Sequence, residues 1–108
     1  MEQSEFLKKK VFNEFSNQNS GSDKETIHHF SESDFEKILE KVEHFGIGIY
    51  TIESFLHGKS FAIAKHEEYK KKATDSRWYK KAFSTFKHRQ TGLTFCATYK
   101  VSAKLLAR

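Results

Sequence analysis

The chain contains no proline and a single cysteine, Cys96. Without proline one cause of helix breaks and one common source of tight turns are gone, which favours helices. One thiol excludes an internal disulfide and a zinc site built from cysteines. No apolar run reaches the roughly 20 residues that a membrane-spanning helix needs. The N-terminus lacks the basic, apolar and small-residue order of a secretory signal. A reduced, cytoplasmic setting with no membrane partner is the expectation. Glycine is sparse as well, with 5 in 108 residues, so each one reads as a turn or a helix end.

Aromatic residues are plentiful. Eleven Phe, four Tyr and one Trp argue for a packed globule over a disordered chain. A length of 108 residues reads as one domain. So short a chain buries a modest core, and a homodimer is the expected way to add buried area. The net charge of +5 is unevenly spread: residues 1–57 sum to −5 and residues 58–108 to +10. That asymmetry points to a polyanion, nucleic acid before others, as the partner of the C-terminal half. The plain alternative is a solvated lysine-rich surface.

Phe6, Leu7, Val11, Phe12 and Phe15 recur every three or four residues and predict an N-terminal helix over 1–18. Residues 19–24, NSGSDK, read as a linker, and residues 25–30 as an ambiguous turn. Ser33 and Glu36 have capping-box spacing at the start of a helix. Phe35, Ile38, Leu39, Val42 and Phe45 share one face of it, and Gly46 ends it. Ile49, Ile52, Phe55 and Leu56 are spaced for a second helix over 49–57, closed by Gly58. The basic part, 61–108, holds a weakly patterned helix over 60–74 and a helix capped by Asp75 or Ser76 that runs to Arg89. Last comes a strand over 93–101, which is paired either with its copy in a dimer or with part of 82–88.

The expected fold is therefore mainly α: a small helical domain with a helix-turn-helix over 33–60 and a C-terminal β-strand or hairpin. The alternative is α+β, helices followed by a small antiparallel sheet. In that reading residues 47–54 pair with 60–65 around His57-Gly58-Lys59-Ser60, because Ile, Tyr, Thr and Phe favour strands.

A DNA-reading helix-turn-helix needs a modest apolar residue at its helix crossing, a glycine four residues on, an apolar plug, and two apolar residues in the second helix. Val42, Gly46, Ile47, Ile52 and Phe55 occupy those positions. With Gly58-Lys59 following, the stretch 45–60, FGIGIYTIESFLHGKS, resembles the core of the phage-repressor and Cro-type helix-turn-helix family; the likeness covers residues 38–60. It implies that residues 49–57 lie in a major groove. Ile49, Tyr50 and Ser54 would face bases, and Lys59 and Ser60 would touch phosphate. Glu53 would accept from cytosine, and Ser54 would bond either kind of base; His57 completes the set. The chain departs from the family where Ile49 and Tyr50 replace the usual Gln, Asn, Arg or Thr, and where Val42 replaces alanine. Glu36, Glu40 and Glu43 would repel phosphate. The charge that holds a backbone is expected from Lys65, Lys70, Lys71, Lys72, Arg77, Lys80, Lys81, Lys87 and Arg89. The function implied is a small sequence-specific regulator of phage, plasmid or bacterial type, binding duplex DNA as a dimer without a cofactor.

Two other classes stand beside it. A basic α+β RNA-binding protein or ribonuclease toxin would use Lys87, His88, Arg89 and Tyr99 for acid–base and phosphate-clamp roles. No nucleophile–base–orienter set can be named, so catalysis is not expected. A protein-interaction module inhibiting a host factor would dock partners on its acidic and basic halves. Six histidines, at 28, 29, 44, 57, 66 and 88, lack zinc spacing, and no metal is expected. The runs 77–81 and 86–89 set aromatics beside cations, as stacking on nucleobases requires. The helical spacing of Trp78, Phe83 and Phe86 assigns those rings to the core instead.

Overall fold

In the computed structural model, which describes residues 2–13, 15 and 29–107, the stretch after Gly46 is a strand. β2 (Gly48–Leu56) turns through His57 and Gly58 into β3 (Lys59–Lys65), and the two pair antiparallel. Both turn residues have positive φ, 52° and 81°, the requirement of the two-residue turn whose twist matches a hairpin. The helix-turn-helix is thus absent, and with it the mainly α fold: the chain is α+β. Residues 49–56 are rich in β-branched and aromatic side chains, which pack well on a pleated surface. The competing hairpin forms, with its turn at His57-Gly58; its first strand starts one residue later, at Gly48, and runs on to Leu56, and its second starts one residue earlier, at Lys59.

The helices do not precede the sheet; they alternate with it. β1 (Phe30–Ser31) leads into α2 (Glu32–Phe45), and a 3₁₀ turn (His66–Tyr69) and α3 (Ser76–Arg89) separate β3 from β4 (Thr94–Lys100). The strand order is β1-β4-β2-β3 and every pairing is antiparallel. Two β-α-β crossovers interleave: β1 and β2 flank β4, and β3 and β4 flank β2. The strand expected over 93–101 is therefore neither a dimer seam nor part of a hairpin with 82–88. It lies between β1 and β2, and 82–88 is helix.

Local signals set the helices. Ser31, not Ser33, caps α2 by accepting from Asp34 N–H at 3.4 Å, and Gly46 closes it with φ 69°. Asp75 caps α3 by accepting from Arg77 N–H at 2.9 Å. The helix expected over 60–74 does not form, because β3 and the 3₁₀ turn occupy that stretch. The N-terminal helix is shorter than expected: α1 (Gln3–Phe6) continues as a π-turn (Leu7–Val11). The linker expected over 19–24 lies outside the described residues. A short α4 (Ala103–Leu106) is capped by Ser102.

The buried core of the described residues lies on one sheet face. Phe95 lies stacked 5.3 Å from Phe35 of α2 and edge-on 4.9 Å from Phe83 of α3. Phe12 comes within 4.9 Å of Phe30 and 5.6 Å of Tyr99 on the same face. Ile52, Ala64, Trp78, Tyr79, Ala82 and Phe86 belong to the same buried core. Fully burying each of the large aromatic and aliphatic side chains contributes about 1.5–3 kcal/mol. No described helix packs on the opposite face.

Candidate nucleic-acid interface

The sheet pairings bring one pole of the molecule together. Gly48 pairs with Lys100 and Thr51 with Lys65, so β2 begins where β3 and β4 end. The segment joining β3 to α3 folds over this pole. Ile49 N–H donates to Ala73 O at 2.9 Å. A Cβ on Gly48 would sit 3.2 Å from the Ala73 Cβ, so glycine permits the close approach. Lys65, Lys70, Lys71, Lys72, Arg77 and Lys100 share this pole with the acids Glu67, Glu68 and Asp75.

Which of these charges is free depends on partners. Arg77 makes a two-pronged contact with Asp75, Nε to Oδ1 at 3.0 Å and Nη2 to Oδ2 at 2.7 Å. These bonds hold the Asp75 carboxyl down at about 2. Among the described residues Lys65, Lys70, Lys72, Lys81 and Lys100 have no ion-pair partner. Lys80 is held by Glu43 at 2.6 Å and Lys87 by Glu36 at 3.6 Å. Arg89 lies over the Phe61 ring, 5.3 Å from its centroid, at the far end of α3.

The loop bearing Lys70, Lys71 and Lys72 is held in place. Lys70 has φ 55°, a left-handed backbone rare for a non-glycine residue. Its N–H donates to Glu67 O at 3.1 Å, and Lys71 N–H donates to His66 O at 3.3 Å. His66 Nδ1 meets Lys71 O at 2.8 Å. A carbonyl only accepts, so neutral His66 carries its proton on Nδ1. Glu68 Oε1 accepts from Lys65 N–H at 2.9 Å and fixes the entry to the turn. Beside the loop lies a row of rings: Tyr50 is 6.0 Å from His66, His66 is 6.2 Å from Trp78, and Tyr69 is 5.7 Å from Trp78. Tyr50 is 39% exposed and is carried outward where the β2–β4 register shifts between Ile49 and Thr51.

The base-facing set expected from the helix-turn-helix is dispersed. Ile49 and Ser54 are fully buried, and the Ser54 hydroxyl donates to Ala62 O across the hairpin at 3.1 Å. Neither side chain is available to a base. Glu53 lies on the sheet face opposite the described helices and accepts from Ser60 Oγ at 2.8 Å. His57 and Lys59 belong to the hairpin turn at the opposite end from Lys65. Of the sixteen candidates, Tyr50, Lys65, Lys70, Lys71, Lys72 and Arg77 are brought together. The ring partners His66 and Tyr69 were missed, although Tyr69 immediately precedes the lysine run.

The residues offered for ribonuclease chemistry do not converge. His88 Nδ1 donates to Ser84 O at 2.7 Å, and Lys87 lies 4.7 Å above the Phe83 ring. Tyr99 sits at the other end of β4, half-buried, its hydroxyl buried and without a partner among the described residues and its pKa pushed up by burial. The Cys96 thiol is pushed up to about 12 by burial and then by Glu53, which makes it a poor nucleophile. No group of three or more His, Cys, Asp or Glu able to hold a metal ion occurs among the described residues. No helix among them is long and apolar enough to cross a membrane. Comparison with protein-family models, with curated protein sequences and with solved structures returns no match.

Proposed function

We propose that this chain binds single-stranded nucleic acid, RNA in the first instance, at the pole formed by Lys65, Tyr50 and the 66–75 segment. A helix-turn-helix reader of the duplex groove would need a helix where β2 runs, so the reading moves to the single strand. The observation that supports it is the left-handed Lys70 in a loop that His66 clamps from both its backbone and its ring. Such strain costs of order 1–3 kcal/mol and tends to be kept where a side chain must be presented. Here it presents Lys70 at the head of the Lys70, Lys71, Lys72 run, beside an exposed ring. Lysines neutralise successive phosphates, and a base stacks on Tyr50, a contact worth about 1–3 kcal/mol and indifferent to sequence.

The test is fluorescence anisotropy with a labelled oligouridine, the DNA strand of equal length and a duplex. Four lysines on phosphates give a log–log salt slope of about −3 for a single strand. Tyr50→Ala weakens binding about fivefold or more without changing that slope. Absence of binding at low salt overturns the reading. So does duplex binding as tight as that of the single strand with Tyr50→Ala neutral.

A further inference from the structure

The face of the sheet turned away from the helices has an ordered chemistry. Three rows cross it, given by the strand register. Lys65, Thr51 and Thr98 form the first, Ile63, Glu53 and Cys96 the second, Ser60, Phe55 and Thr94 the third. The Thr51 and Thr98 hydroxyls meet at 2.8 Å. Ile63 is 52% exposed. His29, one residue before Phe30 and its partner Phe95, lies flat on Phe55, with centroids 4.4 Å apart and planes at 19°. The first row begins at Lys65, which also opens the lysine pole.

We infer that this face, on which no described helix packs, is the base-reading surface for the strand held at the lysine pole, and that Glu53 selects guanine. The inference rests on the single-strand reading above. Phosphates and bases need opposite things, and the two regions divide them. Cations gather at the pole, while the face holds hydroxyls, apolar side chains, a stacked ring pair and one carboxylate. A carboxylate repels phosphate and accepts from base N–H groups. Glu53 is bonded to Ser60 through Oε2 alone. Ionised carboxylates offer about four lone-pair sites, so two side-by-side donors can still be met. Guanine is the base with two adjacent donors on its Watson–Crick edge, N1–H and the 2-amino group, and single strands expose that edge. Paired contacts of this kind are the strong, orienting ones. Uracil offers one donor there. The His29–Phe55 pair, one row on, already holds a ring in the stacked geometry that a neighbouring base would take.

The experiment compares labelled oligouridine, the same strand with one central guanosine, and the same strand with inosine, which lacks the 2-amino group. The wild-type chain is expected to bind the guanosine strand at least about fivefold more tightly than oligouridine, with inosine between them. Glu53→Gln, which keeps an oxygen for the Ser60 hydroxyl, is expected to abolish the preference and leave the salt slope, which the lysines set, unchanged. A thermal melt of the variant checks that the fold is kept. Lack of guanine preference in the wild type, or a preference surviving in Glu53→Gln, overturns the inference. Oligouridine binding without guanine preference overturns the inference alone, whereas no binding to any strand overturns the single-strand reading with it.

Discussion

The side-chain amide of Gln3 stands in for a strand beside the end of β4. Its Oε1 accepts from Val101 N–H and its Nε2 donates to Tyr99 O, both at 2.9 Å. Along an extended strand, the carbonyl of one residue and the N–H two residues on point the same way, so one primary amide meets both. β1, which pairs with β4 only at Phe95 and Thr94, does not reach this end. Gln3→Ala leaves both backbone groups without that partner and is expected to cost about 1–3 kcal/mol, read as a lower urea midpoint at unchanged m-value. Gln3→Glu keeps the acceptor and loses the donor, so it should fall below wild type as well.

Lys70 sets stability against binding. Glycine adopts its left-handed φ of 55° without strain, so Lys70→Gly is expected to raise stability by up to about 1 kcal/mol. The same change removes a phosphate contact and should reduce the single-strand salt slope by about 0.7. Thermal melting and anisotropy on one variant check both signs. A rise in Tm with unchanged slope would place Lys70 outside the interface.

Ser54 separates the two readings of β2 directly. As a groove-facing residue, its loss would relax base preference. Its hydroxyl is instead buried and bonded to Ala62 O at 3.1 Å. Ser54→Ala is expected to lower stability by about 1 kcal/mol and to leave affinity and base preference for any strand unchanged. Urea unfolding and anisotropy read the two effects independently.

His29 gives the fold a pH dependence. Burial holds its pKa below the ordinary 6.5, against the pull of Glu53. The unfolded chain therefore takes up that proton more readily than the folded one. This part of the stability is complete above pH 6.5 and is lost as the pH falls from 6.5 to the lowered folded value. His29→Phe, which keeps a ring against Phe55, should flatten the decline in Tm over that range. Equal slopes for variant and wild type would remove His29 as its source.

Part of the fold was legible residue by residue. Asp75 before a run with Trp78, Ala82, Phe83 and Phe86 on one side announces α3, because capping and a 3.6-residue period are local properties of the chain. Leu93 to Val101 announces β4 by strict alternation. Residues 49–56 announce two things. Ile49, Ile52, Phe55 and Leu56 satisfy a helical period, while Ile52, Ser54 and Leu56 satisfy a strand period. The nine residues of Gly48–Leu56 are too few for periodicity to separate them. The helix-turn-helix likeness rested on apolar residues that a buried hairpin needs equally.

Composition and sequence thus determined the two longer helices, the central strand, and the excess of positive charge in the C-terminal half. Tertiary structure decided the rest. β2 is a strand because β3 and β4 flank it and take up its backbone groups on both sides, pairings that no window of 49–56 contains. Likewise, Lys80 is cancelled by Glu43, 37 residues away, while Lys70 is left exposed on its clamped loop. Charge is a property of residues, but free charge is a property of distances, and only the fold sets those.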